Sequence, residues 1–229
     1  MAVLTAADEA EALEVLHANN CTDGLPVVIP TPERVERMVL ASGLDPDIDL
    51  GAMGPGGGAT TIEKIATNAV MAGCLPDYMP IVVAAMKAML QPEFDLGEVQ
   101  ATTHSIAPLM IVNGPIADGC DLTGSFGALG PGHRANASIG RAVRLCMMNI
   151  GGARPGTSDM ALLGHPGKFS FCIAADEAAS PWESLAVAPG HDVAESTVTS
   201  LGAEAPHSVV FTNDGDDPSS PERLLRVLA

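Results

Sequence analysis

Pro108-Leu109-Met110-Ile111-Val112-Asn113-Gly114-Pro115 is the stretch on which the fold turns. Five consecutive residues, Pro108 to Val112, carry no charge and no hydrogen-bonding side chain. A strand that is apolar on both sides belongs in the middle of a sheet covered on both faces. Asn113-Gly114-Pro115 then breaks it, as turn chemistry requires.

Working outward, helices and strands alternate. On the N-terminal side, residues 6–18 predict a short amphipathic helix. Asp23-Gly24-Leu25-Pro26 predicts a turn, leading into an extended Val27-Val28-Ile29. A helix follows through Leu40, with Thr31 as N-cap and Pro32 at its first position. Residues 51–58 read as a Gly-rich loop. Thr60-Thr61-Ile62-Glu63 reads as a capping box for a helix to about Ala72. Residues 77–90 read as a helix apolar nearly all round, hence buried. Residues 98–104 alternate in polarity and predict a second central strand.

On the C-terminal side, a Gly-rich loop over 124–132 opens a long helix, about 135–150, stopped by Gly151-Gly152. Residues 168–174, 196–201 and 208–212 predict further strands, and 222–228 a terminal helix. The pattern predicts one α/β domain spanning 1–229, with a mixed, mostly buried sheet flanked by helices.

Composition bounds the function. The 229 residues are 47% hydrophobic but only 3% aromatic, so aliphatic side chains and methionine must fill the core. A net charge of −17 excludes non-specific binding to nucleic acid or to an anionic membrane surface. The acid-rich N-terminus is unlike a targeting peptide, and the expectation is a soluble cytoplasmic protein. Five widely spaced cysteines without a CxxC pair fit neither a disulfide framework nor a zinc knuckle.

Against this acidic background lies a basic island. Between Gly124 and Ala175 stand Arg134, Arg141, Arg144, Arg154 and Lys168, with Asp159 the only acid. Cations concentrated in this way imply a held anion, a carboxylate or a phosphate. His133 and Arg134 sit where the Gly-rich loop enters a helix, and backbone N–H groups there attract anions. A cation at a helix N-terminus is unfavourable unless an anion offsets it. Arg141 and Arg144 share a face of that helix, and Arg141 suits bidentate carboxylate recognition.

Gly164-His165-Pro166-Gly167-Lys168 places His165 and Lys168 at a turn before a strand. There, a histidine can move a proton and a lysine can steady developing negative charge. The candidate catalytic residues are therefore His133, His165 and Lys168. The candidate substrate-binding residues are Arg134, Asn136, Arg141, Asp23 and Asn113. Each also has a plain structural reading: a turn, a solvated helix face, or a pairing with acids elsewhere. Lys64 and Asn68 share one helix face. Cys21 is the cysteine best placed to reach a pocket. No histidine spacing supports a metal ligand set, and the residues leave the cofactor open.

Several segments, taken in order, resemble a largely uncharacterised bacterial family. They are Asp23 to Val28, Lys64 to Ala66, Asn68 to Cys74, Asn113 to Ile116, Gly132 to Ala137, Gly164 to Phe169, Ser180 to Glu183 and Gly202 to Glu204. Members of that family accompany small UGSC-type selenocysteine or cysteine proteins, and some continue beyond the point matching Ala229. The resemblance therefore implies one subunit of a hetero-oligomer with a co-encoded partner, and thiol-linked or redox chemistry. Family members often carry an aromatic residue where this chain has Cys21, so the resemblance does not assign that thiol a role.

The resulting expectation is a subunit of an enzyme acting on a small anionic metabolite, an oxidoreductase first. A cofactor-independent lyase or hydratase, a scaffold subunit docking an acidic partner, and a metal-dependent hydrolase stand as alternatives.

Overall fold

The computed structural model describes residues 4–187, 189–207 and 220–228. Helix α1 (Glu9–Ala18) starts at Asp8, whose carboxylate accepts from the Glu11 N–H. Helix α2 (Pro32–Ser42) starts at Thr31, whose hydroxyl accepts from the Arg34 N–H, and ends on left-handed Gly43. Between them, residues 27–29 run extended outside any sheet, with Val28 N–H donating to the Met71 carbonyl.

Residues 51–58 form more than a loop. Strands β1 (Asp49–Met53) and β2 (Gly58–Thr61) make a small antiparallel hairpin. The hairpin lies against the chain after the long helix, where Gly56 N–H donates to the Gly151 carbonyl at 2.8 Å. Gly58 permits this approach, because a Cβ there would stand 2.2 Å from the Ile150 carbonyl oxygen.

Helix α3 (Ile62–Ala72) is capped by Thr61, which accepts from the Lys64 N–H. The cap thus lies one residue later than a Thr60–Glu63 box, and Thr60 is buried inside the hairpin. After a 3-10 turn at Pro76–Tyr78 comes α4 (Met79–Met89), buried at seven of its eleven positions, with Pro80 and Lys87 exposed.

The expected strand over 98–104 is instead the short helix α5 (Leu96–Gln100) followed by irregular chain. Asp95 caps it by accepting from the Glu98 N–H, and the buried pair Leu96 and Gln100 is spaced four apart. A short alternating run satisfies that helical spacing as well, and the cap decides between them.

Strand β3 (Ala107–Asn113) is the central strand that its apolar run predicts. It is followed by α6 (Pro115–Gly119) and, after the Gly-rich segment, by α7 (Arg134–Asn149). Strand β4 covers only Cys172–Ala174, pairing in parallel with Met110 to Val112. The expected strand starts late because Pro166–Lys168 makes a 3-10 turn capped by His165. Strand β5 (Thr197–Ala203) runs antiparallel along all of β3, and α8 (Ser220–Leu228) comes last. The expected strand over 208–212 lies outside the described residues.

The fold is therefore α/β, with a mixed sheet of order β4-β3-β5, a separate hairpin and flanking helices. Helix α7 packs on β4 and on α3, and α4 packs on β5. Methionine and aliphatic side chains fill the core, with Met53, Met79, Met86, Met89, Met110, Ile65 and Ile139 fully buried. No helix among the described residues is long and apolar enough to cross a membrane.

Candidate functional site

The basic island separates into distinct sites along α7. Arg134 and Arg144 are ten residues apart, about 15 Å of helix at 1.5 Å per residue. Hence His133 and Arg134 belong to one end of α7, and the Arg144 cluster to its other half.

At the first end, Arg134 donates to the Gly73 carbonyl from Nη2 at 3.0 Å and from Nε at 3.4 Å. Gly73 is the left-handed residue that terminates α3. The guanidinium thus sits on the negative end of a neighbouring helix, which offsets its unfavourable place on its own. His133 is the N-cap of α7 but makes no side-chain capping bond, and its Nε2 stands 3.2 Å from the Phe126 carbonyl.

Asn136 is buried and fully engaged. Its Nδ2 donates to the carbonyls of Thr123, Ala128 and Cys172, and its Oδ1 accepts from the Thr123 N–H. It fastens the Gly-rich segment to α7 and β4 and leaves no group for a ligand.

Arg141 grips Asp23 through two parallel hydrogen bonds of 2.8 Å, and its Nη2 also reaches the Pro26 carbonyl at 2.8 Å. The two residues expected to bind substrate bind each other. Burial pushes the Asp23 carboxyl up, but the Arg141 bonds and charge and the Leu25 N–H outweigh it and hold the group below its usual value. Arg154 is spent on the Asn20 carbonyl.

Asn113 ends β3 and is buried, donating from Nδ2 to Glu177 Oε1 at 2.6 Å. Ser184 donates to the same oxygen. These bonds hold the Glu177 carboxyl below its ordinary range.

The cluster around Asp159 is different. Lys168 Nζ lies 2.9 and 2.8 Å from its two carboxylate oxygens, and Arg144 Nη2 lies 3.1 Å from Oδ2. All three side chains are largely buried. Burial raises the Asp159 carboxyl, but Lys168, the Ala161 N–H and Arg144 together bring it below its usual value. Two cations share one carboxylate, leaving an excess positive charge. Beside the cluster is a void of about 10 Å³, lined by Arg144 and Lys168 with Gly140, Gly167 and Phe171.

His165 stands next to this group. Its Nδ1 accepts from the Gly167 N–H at 3.1 Å, so the neutral ring carries its proton on Nε2. Nε2 is buried near the Ala203 backbone without reaching hydrogen-bond geometry. Burial pushes the ring below the usual histidine value, and Lys168 adds to this against the Ala203 backbone and Glu204. The ring packs edge-on against Phe171 at 5.7 Å. His165 thus braces its own turn.

Compared with family models, curated proteins and solved structures, the chain matches none. Among the described residues, no three His, Cys, Asp or Glu side chains are grouped to hold a metal ion.

The structure places His165 beside Lys168 and joins Lys168 to Asp159 and Arg144, neither of which the sequence reading counted among the site residues. The signal was present, since Asp159 is the one acid inside a cationic window. The sequence reading also missed a cavity of about 1090 Å³ between α1, α2 and α3. Cys21, Lys64 and Asn68, far in the chain from the histidine motifs, line it together with Asn149. The Lys64–Asn68 spacing marked one face of α3, but nothing local announced the hollow in front of it.

Proposed function

We propose that this chain is one subunit of a hetero-oligomeric enzyme for a small carboxylate- or phosphate-bearing molecule. Its share of the site is the Arg144–Asp159–Lys168 cluster, and a partner chain supplies the opposite wall.

One observation carries this reading. The cluster holds an uncompensated positive charge beside a segment that displays Leu162 at 89% and Leu163 at 97% exposure. Large apolar side chains so fully in water mark an interaction surface. The local void has room for about one water molecule, so a substrate there needs a second surface to enclose it. An excess cation held by a buried carboxylate is preorganised to meet an anion. The resemblance to proteins that accompany thiol or selenol partners points to the same division of labour, with the redox group in trans, inside the cytoplasm.

The test is to co-express the chain with the products of neighbouring reading frames and to follow complex size. Leu162→Ser with Leu163→Ser should abolish a complex that the parent forms. Arg144→Met should leave the complex intact and lower turnover of its carboxylate or phosphate substrate at least tenfold. Full turnover by the Arg144→Met complex would refute the catalytic assignment.

A second reading, a docking subunit without catalysis, is favoured by the ring geometry of His165. Its Nδ1 is taken by the Gly167 N–H and its Nε2 is buried, so the ring presents neither nitrogen to a substrate. Under that reading Arg144→Met weakens the complex itself, with increasing salt mimicking the substitution.

A further inference from the structure

The cavity between α1, α2 and α3 has mostly aliphatic walls. Leu4, Val15, Leu16, Ile29, Val35 and Met71 belong to its lining, which contains no aromatic residue. At about 1090 Å³ it lies just above the span of small-molecule sites, roughly 300–1,000 Å³. Packed interiors do not leave such volumes, so this hollow is a feature of the surface and not slack in the core.

Its charge is equally one-sided. Asp8, Glu9, Glu36 and Glu63 line it, against Lys64 alone. Glu9 is paired with Arg34 at 2.9 Å, and Lys64 Nζ is engaged by the Ala59 carbonyl at 2.7 Å. Three carboxylates remain without an ion pair among the described residues. The whole chain adds a net −17, whose field repels anions and draws cations to a low-dielectric cleft.

From the aliphatic walls and the acidic lining together, we infer that this cavity is a binding site for an aliphatic ammonium compound, with the hydrocarbon part against α1, α2 and α3 and the cation among Asp8, Glu36 and Glu63. This site is separate from the Asp159 cluster, takes the opposite charge, and stands or falls independently of the enzyme reading above.

The probes are hexyl-, octyl- and decylammonium, with octanoate and octanol as controls, titrated calorimetrically at neutral pH and low salt. Saturable 1:1 binding of octylammonium is expected. Each added CH2 should tighten Kd about twofold to fourfold, as burial of methylene predicts. Octanoate should bind at least tenfold more weakly, with octanol in between. Ala12→Trp, which fills the hollow from α1, should weaken octylammonium at least tenfold. The exposed Glu36→Gln, combined with Glu63→Gln, tests the charge without perturbing the core. It should weaken octylammonium about fivefold and leave octanol unchanged. Octanoate binding as tightly as octylammonium, no gain with chain length, or no binding by any of these probes would overturn the inference.

Discussion

Arg141 and Asp23 stand 118 positions apart in the chain and meet through two hydrogen bonds of 2.8 Å. The Asp23 side chain is 3% exposed and that of Arg141 17%. The pair ties the turn before α2 to the middle of α7. Removing one partner strands a buried charge, which costs about 3–5 kcal/mol. Arg141→Ala and Asp23→Ala should each destabilise by that order in urea unfolding. Arg141→Lys should recover little, since a lysine cannot make the paired contact.

The same pair sets an acid limit. Asp23 and Asp159 both have folded-state carboxyls below the ordinary value of 3.8. A depressed folded pKa contributes stability above the unfolded pKa, and that stability is lost as pH falls through the folded value. Melting temperature should therefore drop below about pH 4. Asp23→Asn should flatten that acid limb, and a limb of unchanged steepness would count against the pairing.

The Asp159 cluster predicts an asymmetry. Lys168→Met leaves Arg144 and Asp159 as a neutral pair and should cost about 1 kcal/mol. Asp159→Ala leaves two cations pressed together and should cost several times more. Chemical denaturation of the two variants, compared in one buffer, measures the ratio.

Asn136→Ala removes the contacts that its two amide hydrogens make to three carbonyls and the bond its oxygen accepts from the Thr123 N–H; the Ala128 and Cys172 carbonyls and the Thr123 N–H lose this partner, while the Thr123 carbonyl keeps the Ala174 N–H. A loss of about 3 kcal/mol or more is expected, at roughly 1 kcal/mol per bond. Hydrogen exchange should show the Thr123 amide losing its protection.

Gly140→Ala sets propensity against packing. Alanine is better than glycine in a helix by about 1 kcal/mol. A Cβ at Gly140, however, would stand 2.6 Å from the Phe171 nitrogen and 2.3 Å from Ser170 Oγ. Backbone cannot yield as a side-chain tip can, so the clash wins and the variant should be less stable. A gain in melting temperature would show α7 to lie farther from β4.

The five thiols should react in two classes. Cys21 is partly exposed and lines the cavity. Burial pushes the Cys74 thiol up to about 12, and raises Cys120, Cys146 and Cys172 as well. Native protein should release about one equivalent with a disulfide reagent, and denatured protein five.

Local chemistry was readable where it is carried by neighbours in sequence. Thr31 with Pro32 announced α2, the apolar run over 108–112 announced β3, and Gly151-Gly152 announced the end of α7. The alternation over 98–104 misled, because over so few residues the strand and helix periods overlap and the Asp95 cap settled the matter. The strand expected from Lys168 began at Cys172, because His165 caps the turn before it.

The sequence by itself determined the class of fold, the central strand and the material of the core, since burial pattern and end signals are local. It also fixed how many cations the island holds. Only the tertiary structure decided where those cations go, because an arginine's partner is set by what packing brings within 3 Å. Gly73 and Asp23 claim Arg134 and Arg141 from across the chain, and Asp159 claims Arg144 and Lys168 from within the island. The hollow between α1, α2 and α3 is tertiary for the same reason, being a space between helices that no single helix encodes.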